Sequence, residues 1–491
     1  QDRGRLEQQY RHFRRHPVFD EDTLQDIIDV GMRRITRMQH GDGGWGWWAD
    51  DSSSVYTTAY VLMSLKDAQE SGLNVDSSML SRGVAAMRNL TDAHLSWYDK
   101  HDYANDTDAY FAWVLARYGE RHEKLEKHLW NRRVNLSPYG KLLLALSYHL
   151  HKDTQRAQTL LREAEQFLKE DNENETSWLD TDRNAWWRWW QDDIETNAMY
   201  VRALDALRPK DPRASRVIKW LLNNRKHGWY WDSTRDTAMT VSALANHMKV
   251  SGEGTPDYEL DVLWDGHKLK TVRINKDNLF TYDAQVELKG EGLAGGEHTL
   301  TFKRRGKGAV YFNTYLSFFT LEEDVKGTGL EIKVDRTYSK LVRNDRQLTN
   351  FGDRGQAVQA TEVAYRKEPL ASGATLQSGD LVQVDLTLTS KNSYDFLAFE
   401  DPKPAGMEAV ALRSGTTYGE AVANMELRDD KVAFFLGTLS QGQLRLSYRL
   451  RAEIPGSFHA MPTHGYGMYA PELQANSDEW RVTIKDAPAP H

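Results

Sequence analysis

The sequence predicts a multidomain α-plus-β protein, an N-terminal α/α toroid followed by β-sandwich modules. Three observations carry this. A tryptophan-rich turn recurs between Ala-rich helical stretches through the first half of the chain. The spacing of apolar residues switches from three or four to two shortly after residue 250. The chain also has 491 residues, too many for one ordinary domain. Its 40% hydrophobic content is enough for real cores, and sixteen tryptophans call for broad aromatic packing. A net charge of −8 provides no basic field to attract nucleic acid. With no cysteine, disulfides, thiolate metal sites and cysteine nucleophiles are excluded from this stretch. No apolar run approaches the roughly 18 residues that would span a bilayer, so no direct membrane span is expected. The text opens at Gln1 with neither an initiator Met nor a signal peptide, so a mature piece or an excised one is expected.

Taken in order, residues 1–20 are strongly charged and read as a solvated helical lead-in. A first helix follows, with Asp22 or Thr23 as its cap. Leu24, Ile27, Ile28, Gly31, Met32, Ile35 and Met38 fall on one of its faces. The helix runs into Met38-Gln39-His40-Gly41-Asp42-Gly43-Gly44-Trp45-Gly46-Trp47-Trp48. Gln39 and Asp42 bring hydrogen-bonding side chains to the helix end. Gly41, Gly43 and Gly44 permit the positive φ angles of a tight stop. Trp45, Trp47 and Trp48 are expected to lay their apolar rings on the layer below. Ser52–Ser54 can cap the next helix, and Ala59, Leu62, Met63 and Leu65 give it a buried side.

Weaker versions of the turn recur at Ser96-Trp97-Tyr98, at Asn184–Trp190 and at Lys226–Trp231. The helix that leaves each turn has its own echo. Thr57-Thr58-Ala59-Tyr60 compares with Thr107-Asp108-Ala109-Tyr110, Pro138-Tyr139-Gly140-Lys141, Glu195-Thr196-Asn197-Ala198 and Asp236-Thr237-Ala238-Met239. A helix–turn–helix unit repeating every roughly 40–50 residues indicates an array of α-hairpins. No polar capping repeat is evident, so a closed toroid over residues 1–248 is expected rather than an open solenoid. Asp50-Asp51 and Asp192-Asp193 precede helices and read as N-terminal caps.

Past the polar linker Lys249–Pro256 the period becomes two. Leu260, Val262 and Trp264 alternate before Asp265-Gly266, a hairpin turn. Val310, Phe312, Thr314, Leu316 and Phe318 alternate in a predicted longer strand. A second polar join spans 322–329, and strands are predicted near 330–336, 381–390, 431–439, 443–453 and 479–485. Leu444, Leu446, Tyr448 and Leu450 share one face. Short, regularly spaced strands indicate β-sandwiches. Residues 486–491 read as a loose tail.

In this order, the Gln-x-x-Asp-Gly-Gly-Trp turn, the Thr-Thr-Ala-Tyr-Val-Leu echo and Leu136-Ser137-Pro138-Tyr139-Gly140 resemble the C-terminal part of bacterial α2-macroglobulins. Asp401-Pro402-Lys403-Pro404-Ala405-Gly406-Met407-Glu408 and Gly467-Met468-Tyr469-Ala470-Pro471-Glu472 resemble segments of that family's last macroglobulin-like domain. The resemblance implies a thioester-type α-toroid (1–248), the C-terminal portion of a CUB-like β domain (256–323) and a terminal macroglobulin-like sandwich (328–485). It also implies a role: a periplasmic or cell-envelope inhibitor that traps proteases after they cleave a bait region. Proteases, and the upstream macroglobulin domains of the same polypeptide, are the implied partners. No enzyme activity, cofactor or metal is implied. An aromatic of the last domain helps to shield the family's Cys–Gln thioester, which makes Tyr466 and Tyr469 the candidates here.

The chain departs from that pattern at the chemistry. A thioester needs a thiol, and Gly4-Arg5-Leu6-Glu7-Gln8 carries Arg5 where the family has Cys. Either the true motif precedes Gln1, or the protein has no thioester and traps only by steric closure. Two other functions fit parts of the sequence. One is a cell-envelope interaction module that traps nothing. The other is a terpene-cyclase-like toroid, disfavoured because Asp180-Thr181-Asp182-Arg183 sets an arginine beside the would-be acid and would lower its pKa.

Overall fold

The structure, a computed structural model, describes residues 21–98, 104–181, 193–226, 230–278, 282–290, 296–312, 314, 316, 325–351, 357–410, 415–418, 422–470 and 473–487. Helices occupy the first half: α1 (Glu21–Arg37), α2 (Val55–Glu70), α3 (Ser77–Tyr98), α4 (Asp106–Arg117), α5 (Glu123–Asn131), α6 (Pro138–Leu150), α7 (Thr154–Ala164), α8 (Asp193–Leu207), α9 (Arg213–Asn223) and α10 (Thr234–Ser251). Beyond residue 256 the described elements are strands. The chain divides into two compact units. One holds the residues up to Asp171, Thr176–Leu221 and Ala238–Val310; the other holds Asn172–Glu175, Leu222–Thr237 and the residues from Tyr311 onward.

In the first unit the repeat echoes open α2, α4, α6 and α8; the fifth lies in α10, which enters this unit at Ala238. Their starts follow from capping chemistry. Ser54 accepts from the Thr57 amide, and Ser137 caps α6 with Pro138 in its first turn. Asn105 and Asp108 form a reciprocal capping box. α2 packs on α4, α4 on α6, and α6 on α8. α4, α6 and α8 are buried around most of their circumference. α5, α7 and α9 bury one stripe each and turn a polar face to water. An all-round apolar helix belongs inside an array and an amphipathic one outside it, so the alternation marks two layers. The unit also contains a three-stranded antiparallel sheet, with Asp257–Trp264 between His267–Asn275 and Leu300–Lys307. Tyr258, Leu260, Val262 and Ile274 are its small buried cluster. Asp265 and Gly266 take positive φ in the hairpin turn.

In the second unit a five-stranded sheet runs in the order Tyr365–Leu370, Ile332–Arg343, Leu381–Ser390, Gly442–Ala452, Met407–Ala409. A seven-stranded sheet has Lys431–Leu439, Tyr394–Pro402 and His464–Gly467 as consecutive inner strands. A three-stranded sheet centres on Trp480–Lys485. Alternate residues of all three meet in one core, among them Val384, Phe399, Phe434, Leu446, Leu450 and Trp480. Such two-residue alternation is what a sandwich with one wet face per sheet requires. At its centre Arg336 and Asp401 form a fully buried ion pair at 2.6 Å. At one edge the Glu331 carboxylate accepts hydrogen bonds from Asn174, Asn223, Asn392 and Tyr394, all residues of this unit.

Several local expectations are corrected. α1 begins at Glu21, so Asp22 and Thr23 lie in its first turn rather than capping it. Its apolar stripe is only half-buried, and Ile27 is exposed. Asp51 does not cap α2; Ser54 does. Residues 310–312, 314 and 316 form no strand, and Tyr311, Phe312 and Leu316 are exposed. Alternation supplies the face of a strand but does not by itself make one. A hairpin not anticipated from sequence, Leu168–Asp171 with Thr176–Leu179, interrupts the helical half. No described helix is long and apolar enough to cross a membrane.

Candidate functional site

The Gln39–Trp48 turn is built by its own side chains. Gln39 Nε2 donates to the Gly43 carbonyl and to the Met79 carbonyl of α3, each at 2.9 Å. Asp42 accepts from the Gly44 amide at 2.9 Å and the Ser53 hydroxyl at 2.7 Å. These two hydrogen bonds, in that order, hold its carboxyl below the usual range. Gly43 has φ +89°, and a Cβ there would meet the Arg82 carbonyl oxygen at 2.6 Å. Gly44 is packed against Ser53 in the same way, its would-be Cβ 2.7 Å from that side chain. Trp45 is 2% exposed, donates from its indole to the Ile35 carbonyl at 2.9 Å and is packed against Gly83.

Trp47 and Trp48 do not follow it inward: they are 67% and 76% exposed. Asp51 explains the divergence. Its carboxylate accepts from the Trp47 amide at 2.9 Å, which turns the chain outward after Gly46. So Gln39, Asp42, Gly43, Gly44 and Trp45 make a structural knot, while Trp47 and Trp48 are surface residues. The other Trp-rich stretch, 184–190, lies outside the described residues, as do Gly4–Gln8, Asp182 with Arg183, and residues 227–229.

A second constellation, with no motif in the sequence, gathers toward the C-terminal ends of the inner helices. Asp67 of α2 receives Arg117 of α4 at 2.7 Å and Ser242 of α10 at 3.0 Å. Arg202 of α8 donates to Ser242 and lies 4.0 Å from Asp67. Glu70 accepts from Arg117 at 2.7 Å. Further along, Asp205 of α8 takes His247 at 2.8 Å and Asn246 at 3.0 Å, both from α10. Glu253 stands 3.5 Å from the other ring nitrogen of His247. Hydrogen bonds to Asp205 and then to Glu253 push the His247 pKa up to about 9, so the ring is charged at neutral pH. The available signal was positional: Asp67, Arg117, Arg202 and Ser242 each stand one or two helical turns past a repeat alanine. Among the described residues no group of three or more His, Asp or Glu could hold a metal ion.

In the second unit the two candidate tyrosines part company. Tyr466 is a strand residue paired with Ala398 and Gln474, and its ring lies 5.2 Å from that of His464. Tyr469 sits three residues on, at the tip of a tight turn, and is 64% exposed. The Gly467 amide donates to the Leu473 carbonyl, and the Leu473 amide to that of Ala470, each at 2.9 Å. The Tyr469 ring meets Phe396 edge-on, with centroids 5.5 Å apart.

Residues 332–472, which include both tyrosines and Asp401, match the family profile described as the bacterial α2-macroglobulin MG10 domain. The chain is similar to bacterial α2-macroglobulins over most of its length. It is 27% identical over 332 residues to the α2-macroglobulin of Thermotoga maritima, covering 67% of this chain and 17% of that protein. It is 22% identical over 487 residues to the α2-macroglobulin homolog of a Nostoc species, covering 96% of this chain and 24% of that one. Among solved structures it is similar to trypsin-activated α2-macroglobulin from Escherichia coli, at 18% identity and a TM-score of 0.47, over 94% of this chain and 30% of that one. The chain thus spans about a quarter or less of the length of these two curated α2-macroglobulins.

Proposed function

We propose that this chain is the C-terminal part of a bait-and-trap protease inhibitor. The single observation that carries the proposal is the MG10 match over residues 332–472. Residues 1–248 are then the thioester-type toroid, 256–323 the C-terminal portion of a CUB-like domain, and 328–485 the terminal macroglobulin-like sandwich. Two features of the first unit support closure of the toroid: Ser242 of the last inner helix hydrogen-bonds to Asp67 of the first, 175 positions away, and the inner and outer helices alternate in burial. The exposed Tyr311, Phe312 and Leu316 and the small core of the three-stranded sheet suit a CUB-like domain that residues outside this chain complete.

The chain contributes no thiol. A covalent trap therefore draws its cysteine from residues outside this stretch, and without that cysteine trapping is steric. In the covalent case Tyr469, more exposed than Tyr466, is the stronger candidate for the shield, since a tyrosine ring can exclude water while its hydroxyl can still be hydrogen-bonded. The location that suits this role is the periplasm or cell envelope. The test is intact-mass measurement of this chain and of the full-length polypeptide after exposure to active protease and to methylamine. This chain alone should form no conjugate, since acyl transfer needs an activated acyl group. A stable protease conjugate of the isolated chain would overturn the assignment.

A further inference from the structure

Four described non-glycine residues have left-handed backbone: Lys152, Glu175, Asp265 and Phe396. Three have local explanations. Lys152 follows the end of α6, Glu175 lies in the 171–176 hairpin turn, and Asp265 precedes Gly266 in a two-residue turn. Phe396, at φ +55°, stands inside the strand Tyr394–Pro402. A bulky aromatic in that region is disfavoured by its own Cβ. Register is unchanged on either side of it: Asp395 pairs with Thr438 and Leu397 with Leu436. Phe396 is therefore a single reversed residue with Gly437 opposite, where even an added Cβ would meet nothing within 4 Å. An outlier that the fold does not need for its turns points to function.

The reversed conformation does two things at once. It aims the Phe396 carbonyl at the Met468 amide, which donates to it at 2.9 Å. It also brings the Phe396 ring out to the surface, 40% exposed, with the Tyr469 ring edge-on at 5.5 Å. The Met468 amide and the Tyr469 ring are thus both met by one residue of a neighbouring strand.

We propose that Phe396 is a positioning residue for Tyr469, its strained backbone held so that the tyrosine at the turn tip stands in one fixed orientation as a shield. This rests on Tyr469 having the shielding role proposed above. Two measurements separate the claims. In this chain, Phe396→Ala removes the ring, Phe396→Gly removes both ring and strain, and Phe396→Tyr restores an aromatic. Amide exchange at Met468 and Tyr469 should rise roughly three- to tenfold in the first two, the range an edge-on aromatic pair supports, and return toward wild type in the third. The melting temperature of Phe396→Gly should stay at or above that of Phe396→Ala. In the full-length polypeptide, methylamine incorporation without protease should speed up in the Ala and Gly variants and not in Tyr. Unchanged exchange at 468–469 in Phe396→Ala overturns the positioning role. Faster exchange, in a full-length wild type that incorporates no methylamine, upholds the positioning and refutes the shield.

Discussion

Removing the Asp401 carboxylate should be among the most damaging single changes in the terminal sandwich. Both of its oxygens are engaged: Oδ1 takes Arg336 at 2.6 Å and the Thr463 hydroxyl at 2.9 Å, and Oδ2 takes the Tyr448 hydroxyl at 2.7 Å. All four side chains are buried. Asp401→Ala strands a guanidinium and two hydroxyls without their shared acceptor. Arg336 keeps the carbonyls of Ala460, Met461 and Asp478, so its charge is not bare. Even so, breaking a buried pair from one side costs about 3–5 kcal/mol. At roughly 2–4 °C per kcal/mol for a domain of this size, the sandwich transition should fall by about 6–20 °C. Calorimetry and urea unfolding measure this, with Glu426→Ala as control. The Arg428–Glu426 pair is open to water, so its loss should stay within about 0.5 kcal/mol. If Asp401→Ala proves no more costly than that control, the buried pair is not what organises this core.

Within the Trp turn, Gly43→Ala should cost about 1–3 kcal/mol because φ +89° and the Arg82 carbonyl both oppose it. Gly41→Ala meets nothing within 4 Å and should be close to neutral by urea titration. Trp45→Ala should cost about 3–5 kcal/mol as a buried-aromatic deletion, and Trp47→Ser with Trp48→Ser about 0.5 kcal/mol or less each; equal losses at all three would place the outer indoles in a core. His247 has its folded pKa raised from 6.5 to about 9. Its clamp is therefore fully present below pH 6.5 and lost as pH rises through about 9. The melting-temperature gap between wild type and His247→Gln should be widest near pH 6 and close above that range.

Much of the architecture was legible where one period ran long enough. The strands at Leu381–Ser390 and Lys431–Leu439 follow directly from alternation. The start of α2 follows from Ser54, whereas the caps Asn105 and Ser137 of α4 and α6 were not singled out from the sequence. Legibility failed where the partner, not the segment, decides. The alternating sequence at 310–316 forms no strand at its described positions, 310–312, 314 and 316, and the hairpin at 168–179 depends on pairing that no local pattern encodes. The Trp turn was legible as a stop, because glycines and capping side chains act locally. The fates of Trp47 and Trp48 were not, because Asp51 turns them outward. The Asp67 cluster draws on four helices and the Asp205 cluster on two, each joining residues far apart in sequence, so no short motif could announce them. Tyr466 and Tyr469 were singled out by resemblance alone, whereas the role proposed for Phe396 could come only from a backbone angle.

The most direct test of the account is the fate of an active protease mixed with the full-length polypeptide proposed above to contain this chain. Trapping predicts that, once the polypeptide is cleaved, the protease remains associated with it. The captured protease should still hydrolyse a small peptide substrate but be denied a large protein substrate, with or without a covalent bond. A polypeptide that is cut while the protease stays free and fully active on the large substrate would contradict the account.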